Sequence, residues 1–140
     1  MKRNIFILWA VMLTFSQWSA GQTSADYKVI FDITSSDPVA QRQVVRDAGL
    51  IKSAHPDAQI EVVVYGQALP LIQKDKSPLA SEIEKLISQK GVSFNACHVS
   101  MDRNHVTEAD LIKGAGTVPD GIYEIILKQK QGWGYIKLSP

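Results

Sequence analysis

The sequence predicts an α/β domain built on a mainly parallel sheet, and three observations carry that prediction. Gln59 to Tyr65 (QIEVVVY) is β-branched and nearly continuous, as expected of a strand buried on both faces. Strand-like runs are separated by helix-length segments with helical periodicity, which implies βαβ units with right-handed crossovers. The chain has 140 residues, 45% hydrophobic and 21% charged, enough for one packed domain and too few for two.

The elements follow in order. Tyr27 to Ile33 reads as a mostly apolar strand. Ser35-Ser36-Asp37-Pro38 is a capping cluster with proline placed for the first helical turn. Ala40, Val44, Val45, Ala48 and Ile51 then recur at helical spacing up to the His55-Pro56 stop. Gly66 ends the second strand, and Ser77-Pro78 opens a helix with Leu79, Ile83, Leu86 and Ile87 in one stripe. Lys90-Gly91 closes that helix. Val92 to Val99 is a third strand and Thr107 to Lys113 a short helix. Ile122 to Leu127 fits either a strand in a hairpin or a helix capped by Asp120 and ended at Gly132. The upstream alternation favours the helix, with Ile122, Ile125 and Ile126 on one face and Tyr135 to Leu138 as the final strand.

The first 21 residues stand apart. Lys2 and Arg3 precede an uncharged apolar run from Ile5 to Phe15. That run is short of the roughly 20 residues a membrane span needs, and it fits a secretory signal peptide. Ser19 and Gly21 offer small residues for cleavage before Gln22, leaving residues 22–140 as a single domain. The alternative is an uncleaved N-terminal anchor. Either way an exported protein is expected, periplasmic or secreted, with no membrane contact beyond the signal peptide.

Charge and cysteine content exclude whole classes. The net charge of +1 lacks the dense basic footprint of nucleic-acid binding. A single cysteine rules out an internal disulfide framework. In an oxidising compartment such a cysteine is buried, paired with another chain, or reactive.

Ligands of open α/β sheets bind outside the carboxyl ends of the strands. That rule selects Asp32 and Thr34, Tyr65 and Gly66, and Cys97 with His98. An exposed thiol beside His98, ahead of a short helix, has the setting for a lowered pKa and nucleophilic chemistry. A buried strand cysteine acting as a small hydrophobe fits the position equally. Cys97, His98, Met101 and His105 together offer copper-type donors, but neighbouring strand residues point to opposite faces, and no metal is expected. Gly114-Ala115-Gly116 follows a helix rather than a strand, so it lacks the context of a phosphate loop. No cofactor is called for, and no serine stands in a recognisable nucleophile elbow.

Several stretches together resemble the DsrE/DsrF-like proteins. They are Lys28 to Ile33, Ile60 to Leu69 (IEVVVYGQAL), Gly91 to Cys97 (GVSFNAC), and Val118-Pro119-Asp120-Gly121 leading into Gly132 to Ile136 (GWGYI). The resemblance covers roughly the whole domain after the signal peptide. It implies a three-layer α/β/α fold around a five-stranded parallel sheet, and frequent homo-oligomers. In the sulfur-relay members a cysteine after the third strand receives sulfur as a persulfide and passes it to a partner, and Cys97 lies at the matching place. Two departures stand out: those relays work in the cytoplasm, and no second cysteine is present here. Two functional expectations follow. One is a sulfurtransferase-like carrier with a donor or acceptor protein as partner. The other is a non-catalytic ligand-binding or assembly module with a buried structural Cys97.

Overall fold

A computed structural model describes residues 27–139. The expected signal peptide, residues 1–21, lies outside the described residues. Five strands form one parallel sheet in the order β4-β3-β2-β1-β5: β1 (Lys28–Ile33), β2 (Gln59–Val64), β3 (Val92–Cys97), β4 (Gly116–Val118) and β5 (Gly134–Leu138). Four helices connect them: α1 (Pro38–Ala54), α2 (Ala80–Ile87), α3 (His98–Arg103) and α4 (Gly121–Lys130). No helix among the described residues is long and apolar enough to cross a membrane.

The alternation of side chains along the strands separates two unequal cores. Val29, Phe31, Ile33, Val62, Val64, Phe94 and Ala96 face α1 and α2, and join the main cluster with Val44, Ala48, Ile83 and Met101. The other face is thin. Ile30, Val63, Val118 and Ile125 form its buried cluster, edged by Tyr65 and Trp133, beneath α4.

Local signals explain most elements. Asp37 caps α1, its Oδ1 accepting the N–H groups of Val39 and Ala40, with Pro38 at the first position. Asp120 caps α4 in the same way through Ile122 and Tyr123, so the ambiguous 122–127 segment is the expected helix.

Four expectations need correction. The third strand ends at Cys97, and His98 begins α3 rather than continuing as strand to Val99. The expected helix at 107–113 is a single 3-10 turn, Glu108–Asp110. It is closed by a reciprocal Thr107–Asp110 capping box, after which Leu111 bridges to Gln73. Gly116–Val118 is a strand that the residues alone did not suggest, since three residues carry no period. Of the three isoleucines expected on one face of α4, only Ile125 is buried, while Ile122 and Ile126 face outward.

Candidate functional site

The site lies at the carboxyl end of the sheet on the α4 face. β3 runs into α3, whose Met101 enters the main core, while β4 runs into α4 on the opposite side. Adjacent strands whose helices depart to opposite faces open a crevice between them, and Cys97 ends the first of the two.

Cys97 is 4% exposed, and its Sγ accepts the N–H of Gly121 at 3.2 Å, at the first residue of α4. The sulfur therefore sits at the positive end of the α4 dipole. Glycine makes the approach easy. A Cβ on Gly121 would sit 3.0 Å from Val63 Cγ1, 3.3 Å from Cys97 Cβ and 3.4 Å from Tyr65 Cδ1. Three side chains therefore meet at one point, and Tyr65 is the half-buried wall beside the thiol.

A carboxylate stands behind that wall. Asp32 is 3% exposed; its Oδ2 accepts the Tyr135 hydroxyl at 2.7 Å and lies 3.6 Å from Lys137 Nζ. Its Oδ1 is buried without a hydrogen-bond partner among the described residues. Both phenols respond. Burial, followed by the charge of Asp32, pushes Tyr65 well above the usual tyrosine range. The hydrogen bond to Asp32, with desolvation behind it, pushes Tyr135 up to about 12.

The two tyrosines thus keep their protons to higher pH in the folded protein than in an unfolded chain, where tyrosine ionises near pH 10. Their stabilising contribution is intact below about pH 10 and is lost as pH rises towards the folded values. Urea midpoints are expected to fall between about pH 10 and pH 12, and less steeply in Tyr135→Phe. An absorbance titration with Tyr135 fully ionised near pH 10 would contradict this.

The remaining expected residues lie elsewhere. His98 faces Glu108, with Nε2 3.7 Å from Oε1, and no hydrogen bond joins it to Cys97 among the described residues. Thr34 underlies Gly66, whose backbone N–H donates to Ser100 Oγ at 3.0 Å. Gly66 (φ 59°) borders a separate cleft of about 440 Å³ with Ser36, Gln67 and Asn104. The expected crevice is therefore divided: Asp32, Tyr65 and Cys97 share the α4 face, while Thr34 and Gly66 serve the neighbouring rim. The four copper-type donors are scattered, with Met101 in the main core and His105 exposed. Among the described residues no three His, Cys, Asp or Glu side chains are grouped to hold a metal.

Sequence reasoning missed Tyr135 and Lys137, which share a strand face with the period-two spacing a strand requires. It also missed a buried polar cluster under the far end of α4. Glu61, 2% exposed, meets Lys128 Nζ at 2.7 Å and the Asn95 amide at 2.8 Å, and Lys128 also lies over the Trp133 ring. A cleft of about 610 Å³ opens there between Gln59, Lys90, Ser93 and Trp133. The available signal was a glutamate inside an otherwise apolar strand.

A parallel α/β sheet with a strand-end thiol under a helix N-terminus defines the class. Residues 28–138 match the DsrE/DsrF-like family, and the chain belongs to it. A protein of unknown function, MTH1491 from Methanobacterium thermoautotrophicum, has 27% identity and a TM-score of 0.74 over 79% of this chain and 98% of its own. A conserved protein of unknown function, BT1422 from Bacteroides thetaiotaomicron, shares the fold at 18% identity and a TM-score of 0.67, covering 81% and 97%. The ychN protein from E. coli does so at 10% identity and a TM-score of 0.64, covering 79% and 98%. No curated protein matches the chain.

Proposed function

We propose that the chain is an exported sulfur carrier that takes sulfane sulfur onto Cys97 as a persulfide and passes it to a partner. The observation that supports this reading is the bond from the Gly121 N–H to Cys97 Sγ, at the positive end of α4. The Cys97 thiolate attacks the sulfane sulfur of a donor persulfide. The donor's S–S bond breaks, the electron pair leaves with the donor thiolate, and a new S–S bond forms on Cys97. An acceptor thiolate then attacks the outer sulfur and restores Cys97, so neither exchange needs an external oxidant or reductant. Since Cys97 is nearly covered, access is gained by displacing Tyr65 or the first turn of α4.

The chain works as a homo-oligomer in this reading. Ile122, Tyr123 and Ile126 of α4 are exposed, as are Tyr135 and Ile136 of β5, beside the site. Such apolar surface suits contact between copies.

Intact-protein mass spectrometry, before and after a polysulfide, tests the reading. Wild type is expected to gain one or more sulfur atoms that a reductant removes. Protein from a secreting host is expected to begin at Gln22, and native spectra of that sample count the copies. A thiol that takes up sulfur only after denaturation would sink the carrier function.

A further inference from the structure

The surroundings of Cys97 contain no ready place for an anionic donor. Of the first amides of α4, Gly121 is committed to the sulfur, and Ile122 and Tyr123 are committed to the Asp120 carboxylate. No amide of the first turn remains to receive an oxyanion, which is what a helix N-terminus ordinarily offers. His98, the one basic side chain adjacent in sequence, is turned to Glu108.

A carboxylate stands on the same face of the sheet as Cys97. Asp32 is almost fully buried on the same face, so water screens its charge poorly, and its Oδ1 has no partner among the described residues. Among the described residues the cation paired with it is Lys137, on β5, on the far side of β1 from β3. The groups that compensate Asp32 thus stand on its β5 side, while Tyr65 and Cys97 stand on the other. Tyr65 sits between the two and feels the charge of both. Two strand spacings, roughly 10 Å, separate β1 from β3, a distance over which a poorly screened charge still acts.

We propose that Asp32 is a specificity determinant that makes Cys97 discriminate by charge. It slows attack on multiply charged inorganic donors such as thiosulfate relative to persulfides whose leaving group is an uncharged or cationic thiol. The proposal rests on the sulfur-carrier reading for its biological meaning, but its test does not.

Cys97 is the only cysteine in the chain, so thiol reagents address it alone. Two alkyl methanethiosulfonates, one ending in trimethylammonium and one in sulfonate, differ in charge at similar size. In both, the thiolate attacks the sulfenyl sulfur, a mixed disulfide forms, and methanesulfinate leaves. The full native protein is expected to react faster with the cationic reagent. Its cation-to-anion rate ratio should exceed that of free cysteine by about tenfold, the size expected of local charge steering. Asp32→Asn, which keeps an acceptor for Tyr135, should bring the ratio back towards the free-cysteine value. Lys137→Gln, on an exposed side chain, should move it the other way.

A ratio unmoved by both substitutions, or no reaction with either reagent in the native protein, would overturn the proposal. If the ratio behaves as expected while no persulfide ever forms, charge selection stands and the sulfur reading falls. If persulfide forms on a site with a flat ratio, only the selectivity falls.

Discussion

Cys97→Ser is expected to abolish sulfur uptake completely, because a serine hydroxyl forms no persulfide and no other thiol is available. The substitution is a clean one. A hydroxyl oxygen can still accept the Gly121 N–H that the sulfur now accepts, so α4 keeps its first contact. The expected stability loss is about 1 kcal/mol, from the smaller side chain and a new hydroxyl proton in a nearly buried place. Cys97→Ala is the informative companion. It also loses uptake but leaves the Gly121 N–H without an acceptor, which costs about 1–3 kcal/mol. Intact mass after polysulfide treatment and urea midpoints read the two effects separately. Sulfur retained by Cys97→Ser would place the acceptor elsewhere.

The largest expected effect on stability comes from the other end of α4. Lys128 burial alone would lower its pKa, but the hydrogen bond and charge of Glu61, with Glu124 behind them, outweigh it and raise it. Lys128→Met would leave Glu61 charged beneath the helix, with only Asn95 as partner. Breaking one side of such a pair costs about 3 kcal/mol, on the order of 10 °C in Tm for a domain of this size. Adding Glu61→Gln should recover part of the loss, because an amide carries no charge to desolvate. Equal losses in single and double variants would show that the ion pair is not the cause. The linkage also has a sign. A lysine whose pKa is raised on folding contributes fully below its unfolded value, near 10.4, and loses that contribution as pH climbs through the folded value.

Legibility in the sequence followed the range of the interactions. Gln59–Val64 announced itself because a strand covered on both faces reads as a nearly continuous apolar run, broken here only by Glu61 after the exposed Gln59. α1 and α4 were readable from Asp37 and Asp120, which cap within two or three residues. β3 was overextended because His98 and Val99 suit a strand as well as a helix, and the Cys97 turn is set by what α3 packs against. β4 was hidden by its length. The thiol was placed correctly at a strand end, but its partner Gly121 comes 24 residues later, and no spacing rule connects them. Asp32 was selected without Tyr135 and Lys137, which meet it only because β5 returns to pair with β1.

That return has a consequence for how the domain is made. Asp32 and Tyr135 are 103 residues apart, and every hydrogen bond of β5 to the sheet goes to β1, the first strand. Such distant pairing is slow to form, since the entropy of closing the loop must be met before the contacts help. A nascent chain can assemble β1 to β4 while the outer edge of β1 stays unpaired. In that interval Asp32 lacks the hydroxyl and ammonium that hold it, and the edge is open to any extended segment of a neighbouring molecule. The arrival of β5 therefore both supplies the partners of Asp32 and covers the outer edge of β1, moving the sheet's open edge to β5 itself.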